Sequence, residues 1–286
     1  MKHPIFTIKN LKCAYPGAQK PVLEIDDFQV FKKELVFFLG VSGVGKSTLI
    51  ESLGLMNRTI VPDADAKLTY HKGDSALSLF ELWDGDESKL AEFRSKEYSF
   101  IFQSSNLFEK ISLQANAIMP ALANASNTED LELRAHKLAK AILSNVSIED
   151  YNTKNAGAIS GGQKQRLAFI QAMVSDHEVL FGDEPTGNLD WGNAKKVMQT
   201  LKDHISNNNK TGLVVSHDVN LSVEFADRIV LMTGKSNPEM PSRKTGQILA
   251  HNIFEKQAGD WKSANQHLSN DEMIAMLKGH FVEQAQ

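Results

Sequence analysis

Short apolar runs separated by turn residues open the chain. Residues 6–8, 22–25 and 28–31 are rich in Val, Ile and Phe, and Pro16 and Gly17 mark a turn. Runs of this length and composition predict β-strands. Residues 35–39 are apolar without interruption, which is typical of a strand buried on both faces. Helical spacing follows in residues 49–56, so the pattern predicts a strand, a glycine-rich loop and a helix in succession.

A long polar stretch interrupts this pattern between residues 63 and 97. It is rich in loop-forming residue types, and its most acidic part is 84–87. We predict a solvated surface excursion there and assign it no chemistry. A short apolar run, 100–102, then ends at Gln103, and residues 104–158 have the composition and spacing of helices.

Strands and helices alternate again beyond residue 159. The predicted elements, in order, are a helix with its apolar stripe on Leu167, Ile170 and Val174, a strand over 179–181, a helix over 193–204 and a strand over 213–215. Alternation of this kind predicts an α/β fold with a mainly parallel sheet that is covered on both faces.

The last part of the chain, residues 236–286, is less regular. Pro238, Pro241 and Gly246 interrupt it, so we predict a hairpin that ends near 248–249 and a closing helix over 270–281. We assign this segment as a C-terminal extension that packs on or beside the core.

Composition narrows the function classes. The chain has 286 residues with 31 Lys or Arg and 35 Asp or Glu, and its formal net charge of -4 argues against nucleic acid as a partner. The single cysteine, Cys13, cannot form an internal disulfide, which fits a reducing cytoplasm. Residues 1–10 lack the apolar core expected of a secretory signal, and no later stretch approaches the roughly 18 to 20 apolar residues needed to span a bilayer. We therefore expect a soluble protein whose membrane part, if it has one, comes from a partner.

A phosphate-binding pattern, GxxxxGK[ST], follows the apolar strand in the stretch GVSGVGKST at residues 40–48. Its glycines let the backbone amides wrap around phosphates, the Lys46 ammonium neutralises the terminal phosphates, and the Ser47 hydroxyl ligates magnesium. The strand before the loop and the helix after it supply the context that this motif requires. The residues that we predict to bind nucleotide here are Gly40, Ser42, Gly43, Val44, Gly45, Lys46, Ser47 and Thr48.

Two adjacent acids, Asp183 and Glu184, end the apolar strand that begins at residue 179. Neighbouring side chains at a strand end point in different directions, so the pair can divide two tasks. In a chain with a phosphate loop, we predict that Asp183 holds magnesium and that Glu184 polarises the attacking water.

A second glycine motif, AISGGQKQR at residues 158–166, lies shortly before the acidic strand. Ser160, Gly161 and Gly162 open a helix, and a helix start that offers a hydroxyl and several amides can bind an anion. Together with Gln163, these residues resemble the signature motif of ATP-binding-cassette proteins, and the resemblance covers nearly all of the chain. In that family the signature of one subunit closes over nucleotide held by the phosphate loop of another. The resemblance therefore implies head-to-tail pairing with a second copy or with a paralogous cassette.

The resemblance also assigns four residues outside these motifs. Tyr15 is similar to the aromatic residue that stacks on adenine, and Gln103 resembles the glutamine that reaches the magnesium and the lytic water. Asp190 resembles part of the loop that crosses the dimer seam. His217 resembles the switch histidine that contacts the terminal phosphate. The implied cofactors are ATP and Mg²⁺.

The same resemblance implies a domain plan. We expect a P-loop NTPase core with a mainly parallel sheet, an N-terminal antiparallel β subdomain and an inserted α-helical subdomain. The cassette is placed in residues 1–235, the helical subdomain at about 104–158 and the extension at 236–286.

Residues 100–108 and 183–190 are most similar to the branch that includes lipoprotein-releasing, macrolide-exporting and cell-division ATPases. That resemblance implies integral membrane permease partners, a place on the cytoplasmic face of the inner membrane, and export, extraction or mechanical work rather than import. The chain departs from the branch in its longer tail and in lacking a glycine hairpin within 63–97. Two alternatives stay open: a soluble cassette ATPase that acts on ribosomes or DNA, and a subunit that holds ATP without splitting it.

Overall fold

The chain forms two compact units. The computed structural model describes residues 2–18, 20–125, 127–143, 145–237 and 240–285, so that Pro238 lies outside the described residues. The first unit comprises Met1–Glu92 and Leu213–Gln286, and the second comprises Phe93–Gly212. Within the described ranges, no helix has both the length and the apolar character needed to cross a membrane.

The N-terminal part of the first unit is built around an antiparallel sheet. Its elements are the strands β1 (Pro4–Cys13), β2 (Leu23–Phe31), β3 (Leu35–Leu39), β4 (Ile60–Val61), β5 (Lys67–Lys72) and β6 (Ser75–Ser78) and the helices α1 (Lys46–Leu53), α2 (Leu79–Trp83) and α3 (Glu87–Glu97), the last of which continues past residue 92. Strand β1 pairs antiparallel with β2 and β5, and β5 pairs with β6. The predicted antiparallel β part is confirmed, with 22–25 and 28–31 joined in the single strand β2.

Most of the stretch 63–97 is exposed, as predicted, but the prediction that it is rich in loops is wrong. This stretch contains β5, β6, α2 and α3. Leu68, Tyr70, Leu79 and Leu90 are each at most 4% exposed. Leu68 and Tyr70 alternate with more exposed residues of β5, as in a strand that places one face on a core.

The second unit contains the helical part of the chain. Its elements are β7 (Tyr98–Ile101), α4 (Leu113–Leu122), α5 (Thr128–Ile142), α6 (Ile148–Thr153), α7 (Gly161–Val174), β8 (Val179–Asp183), α8 (Trp191–Asn207) and the beginning of β9 (Thr211–Val215). The side chains of Ser112, Asn127 and Ser147 cap the starts of α4, α5 and α6 by accepting hydrogen bonds from backbone amides. Strands β7 and β8 are parallel.

The C-terminal part of the chain returns to the first unit. After the end of β9 come α9 (Val219–Phe225), β10 (Arg228–Leu231), β11 (Thr233–Asn237), β12 (Met240–Gln247), β13 (Ile253–Gln257), β14 (Asp260–Lys262), β15 (His267–Leu268) and α10 (Asn270–Ala285). Strand β3 lies between β9 and β10 in its sheet, and β10 runs parallel to it. Strands β13, β14 and β15 continue this sheet with antiparallel pairing. The predicted hairpin and closing helix are present as β11–β12 and α10.

The C-terminal extension has apolar residues in the core of the first unit. Phe254, Trp261, Met273 and Leu277 are each at most 2% exposed. The Lys256 ammonium lies 5.2 Å from the centre of the Trp261 ring and donates to the Val223 carbonyl at the end of α9. Strand β11 begins before residue 236, so it crosses the predicted boundary of the extension.

Candidate functional site

The phosphate loop joins the buried strand β3 to helix α1. Gly43 and Gly45 have φ angles of 79° and 92°, a left-handed conformation that residues with a Cβ rarely adopt. Gly45 is the N-cap of α1 and has no side chain to occupy the first amides of the helix. Those amides, together with the positive end of the helix dipole, form the kind of backbone concavity that binds phosphate groups.

Lys46 contacts the phosphate loop, and Tyr15 contacts helix α1, which follows the loop. The Lys46 ammonium donates to the carbonyl oxygens of Gly40 and Val41 over 2.8 and 3.1 Å, and the side chain is largely buried. The Tyr15 hydroxyl lies 3.2 Å from the Thr48 hydroxyl, while the residue remains 48% exposed. An anchored yet exposed ring is suited to stacking on a flat base.

Strand β9 brings His217 to the same edge of the sheet as the loop. The Ser216 amide donates to the Phe38 carbonyl over 3.3 Å, which aligns the end of β9 with the end of β3. His217 follows and is exposed. Within the first unit, therefore, Tyr15, the loop and His217 occupy neighbouring positions around the end of β3.

The acidic pair lies in the second unit, at the end of β8. Strand β7 is in register with β8 so that Ile101 is opposite Gly182. The rings of Phe100 and Phe181 stack with centres 5.1 Å apart, which fixes this alignment inside the sheet. Gln103 and Asp183 consequently leave the sheet at the same edge.

Glu184 has a φ of 47°, an uncommon conformation for a residue with a side chain. Its carbonyl accepts a hydrogen bond from the Gly187 amide, which closes a tight turn directly after β8. Residues held in this region cost about 1 to 3 kcal/mol and tend to occur where function needs one fixed side-chain direction.

The motif at residues 160–163 forms the start of α7. The Ser160 side chain accepts from the Gln163 amide, and the Gln163 side chain accepts from the Ser160 amide, so the two form a capping box. A Cβ on Gly162 would lie 3.5 Å from the Asn188 carbonyl, so this helix start packs beside the loop that contains Asp190. Gly161 has nothing within 4 Å of its Cβ position and presents an open face.

Asp190 is the N-cap of α8. One carboxylate oxygen accepts from the Asn193 amide over 3.1 Å and the other from the Asn193 side chain over 2.6 Å. These hydrogen bonds to the ionised form lower the pKa of Asp190 below its usual value. The carboxylate is exposed, and its loop packs beside the start of α7.

Sequence reasoning missed Gln165. This side chain is 1% exposed and donates to the Pro185 carbonyl over 2.7 Å and to the Phe102 carbonyl over 3.5 Å. It therefore links α7 to the segments that follow β7 and β8, next to Gln103 and Glu184. A single glutamine in a helix has no characteristic spacing. The only feature of the sequence that could have indicated Gln165 is its position inside the motif at 158–166.

The side chains present are suited to ATP and Mg²⁺. The left-handed glycines and Lys46 supply amides and a positive charge for phosphates. Magnesium keeps several waters and needs only one or two protein oxygens besides phosphate oxygens, and the Ser47 hydroxyl and Asp183 carboxylate are ligands of that type. Among the described residues no cluster of three or more His, Cys, Asp or Glu could hold a metal ion.

A family model described as ABC transporter matches residues 23–187. A second model, described as a SnoaL-like domain, matches residues 148–275, and the two matches overlap over 148–187. We base no assignment on the second match, because it covers less than half of the chain and includes the signature and acidic motifs of the first.

Two kinds of relatives resemble the chain in sequence. The lipoprotein-releasing system ATP-binding protein LolD of Cytophaga hutchinsonii is 33% identical over 211 residues, 74% of this chain and 89% of that protein. The macrolide export ATP-binding/permease protein MacB of Haemophilus ducreyi is 28% identical over 80% of this chain, which spans only 31% of that longer protein.

Solved structures resemble the chain in fold. The dimeric structure of MJ0796, a bacterial ABC transporter cassette, has a TM-score of 0.65 at 26% identity over 79% of this chain and 93% of its own. The structure of cbiO1 from Clostridium perfringens has a TM-score of 0.68 at 18% identity over 99% of this chain and 94% of its own, and shows the fold alone.

Proposed function

We propose, from the premise that this chain belongs to the ABC transporter family, that it drives a membrane permease by ATP-dependent pairing of two cassettes. The chain is an ATP-binding subunit with ATPase activity. Pairing is supported by two helix N-termini of a kind that can bind phosphate. They are the start of α1 after Gly45 and the start of α7 after Ser160. In this proposal one nucleotide contacts both helix starts, and a head-to-tail pair supplies them from different subunits.

In this proposal the first unit holds the nucleotide. The amides of residues 40–48 and the Lys46 ammonium bind the phosphates, and Tyr15 stacks on the adenine. The Ser47 hydroxyl and the Asp183 carboxylate would hold Mg²⁺, which when bound neutralises charge on the phosphate oxygens. Ser42, Gly43, Val44 and Thr48 complete the predicted contacts through the loop and the first turn of α1.

The second unit contributes the groups for hydrolysis. Glu184 is the general base that takes a proton from the attacking water, and its left-handed backbone belongs to the tight turn directly after β8. Gln103 orients that water, and His217 of the first unit contacts the terminal phosphate. Residues 160–163 and Asp190 belong to the face that meets the second cassette.

We propose integral membrane permeases as further partners and the cytoplasmic face of the inner membrane as the location. The helical subdomain at about 104–158 offers the contact, with Phe108 60% exposed near Gln103. LolD and MacB are named for lipoprotein release and macrolide export, so we favour export, extraction or mechanical work over import. The comparisons give no support to an action on ribosomes or DNA, and we assign no nucleic acid as a partner.

The substitution Glu184→Gln tests the catalytic part of this proposal. Without a general base, ATP turnover should fall by at least about 10²-fold, while the unaltered phosphate loop still binds ATP and allows a stable ATP-bound dimer. Phosphate release measures turnover, and size-exclusion chromatography with ATP measures dimerisation. Glu178→Gln is a matched control, because Glu178 instead forms an ion pair with Lys210 over 3.1 Å. Hydrolysis by Glu184→Gln at the wild-type rate would disprove the assignment.

A further inference from the structure

The two ends of the β11–β12 hairpin contact the phosphate loop at two separate peptide groups. Directly before β11, the Met232 amide donates to the Leu39 carbonyl over 2.7 Å. A Cβ on Gly40 would lie 2.7 Å from the Met232 carbonyl oxygen, so the loop starts in close backbone contact with this end. At the other end, Gly246 of β12 packs so closely on Val44 that a Cβ there would overlap the Val44 carbonyl oxygen.

Gly246 is fixed in this position by several backbone contacts. Its amide donates to the Val22 carbonyl over 2.8 Å, and it is paired with Leu23 in a short parallel ladder. The neighbouring Thr245 hydroxyl donates to the Pro21 carbonyl over 2.9 Å. The same Val22 carbonyl would lie 3.2 Å from a Cβ on Gly45. The end of β12 and the phosphate loop thus share one tightly packed backbone layer.

These contacts bear on the orientation of two loop amides. A peptide group is planar, so the Leu39 carbonyl and the Gly40 amide turn together, as do the Val44 carbonyl and the Gly45 amide. Met232 contacts the first carbonyl and Gly246 the second. Fixing each carbonyl therefore fixes the direction of the amide on the opposite side, and those amides belong to the loop that receives the phosphates.

We propose that Gly246 is a positioning residue for nucleotide binding: its lack of a side chain lets the hairpin hold the Val44–Gly45 peptide in the orientation that phosphate requires. This inference rests on the proposed role of the phosphate loop. A close-packed interior cannot absorb an added methyl group without moving its neighbours. Because the neighbour here is loop backbone, the displacement reaches the binding amides directly.

The test compares Gly246→Ala with Gly234→Ala. Gly234 is paired with Gly246 in the same hairpin, but its added Cβ would press on the side chain of Lys244 instead of on the loop. We expect Gly246→Ala to raise the dissociation constant for Mg-ATP, measured by calorimetry on the folded protein, by roughly tenfold or more. Gly234→Ala should stay within about twofold of the wild type, even where both variants lower the midpoint of thermal unfolding.

Equal affinities of Gly246→Ala and the wild type, with the variant folded by circular dichroism, would overturn the positioning role. An equal loss of affinity in Gly234→Ala would also overturn it, because strain anywhere in the hairpin would then explain the effect. Lys46→Ala separates this outcome from a failure of the proposed function. If Lys46→Ala binds Mg-ATP like the wild type, the phosphate loop is not the nucleotide site; if it does not bind, a negative result at Gly246 concerns the hairpin alone.

Discussion

At the scale of single residues, the side chains of the candidate site are those that the sequence motifs predict. Some of its backbone conformations could not be predicted from the sequence. The left-handed Gly43 and Gly45 follow from the motif, because only glycine adopts that conformation without strain. The φ of 47° at Glu184 does not, since nothing in the residue type favours it. It belongs to the turn after β8, which the hydrogen bond from the Gly187 amide to the Glu184 carbonyl closes.

Replacing Gln165 should affect both stability and ATP turnover. In Gln165→Leu the Pro185 carbonyl loses its donor, and the loss should lower the free energy of unfolding by about 1 to 3 kcal/mol. ATP turnover should fall as well, because Pro185 directly follows Glu184. Urea unfolding and phosphate-release assays measure the two effects.

The control for Gln165 is Gln199→Leu. The Gln199 side chain donates to Asp203 on the exposed side of α8, so its loss should change stability by no more than about 0.5 kcal/mol. Turnover that is unchanged in Gln165→Leu would show that the bond to Pro185 does not position Glu184.

At the scale of elements, long periodic segments were predictable and the polar stretch at 63–97 was not. Helix α8 has one apolar stripe and was expected within a few residues of its bounds. In β5 the alternation of Leu68 and Tyr70 with polar neighbours was present in the sequence, but a strand of six residues gives a weak signal. The antiparallel strands β13–β15 were missed because each is only two to five residues long and because β13 joins the sheet by pairing with β10, which is distant in sequence.

Two histidines join the loop before β8 to the end of α8, and they make stability depend on pH. The Nδ1 atom of His177 lies 2.8 Å from the Ser175 carbonyl oxygen, and its Nε2 atom lies 3.4 Å from Nε2 of His204. Burial lowers the pKa of His177 to about 3; the neighbouring His204 and Lys210 act in the same direction, and the Ser175 carbonyl and Asp176 oppose them. Burial lowers the pKa of His204 to about 4, with Lys210 and Arg134 acting in the same direction.

At these two positions the unfolded chain therefore binds protons that the folded chain excludes below about pH 6.5, and the contribution of the two histidines to stability should fall as the pH falls from there toward 4. Each proton contributes a slope of roughly 1.4 kcal/mol per pH unit. His204→Gln should reduce this slope in urea unfolding measured at pH 7, 6 and 5. His251→Gln, a substitution at an exposed position, should leave the wild-type slope. Identical slopes in all three proteins would contradict this account.

At the scale of the whole molecule, the proposed function gives each chain two kinds of half-site. Composition and motif spacing were sufficient to predict the fold class and an ATPase, because a phosphate loop, a signature and an acidic strand end require fixed residue types in a fixed order. They were not sufficient for the extension, whose Trp261 is fully buried through contacts with α10. Whether one site uses residues of two chains is a property of the assembly and calls for an experiment on mixed subunits.

If each catalytic site uses residues of both subunits, a mixture of two inactive variants should recover ATPase activity. Lys46→Ala removes the cation of the phosphate loop, and Ser160→Arg blocks the start of α7. In a head-to-tail dimer of one subunit of each kind, one site has both defects and the other has neither. An equal mixture that exchanges subunits freely should then reach about a quarter of the wild-type ATPase rate if the sites act independently.

The matched control mixes Lys46→Ala with Ser47→Ala, which places a defect in both phosphate loops of every mixed dimer. No recovery is expected there, because no arrangement of those subunits contains an intact loop. Recovery in the first mixture alone therefore requires that the loop of one chain work with the signature of another. A first mixture as inactive as its components, with subunit exchange verified by differently labelled chains, would mean that each chain completes its own site and that head-to-tail pairing is wrong.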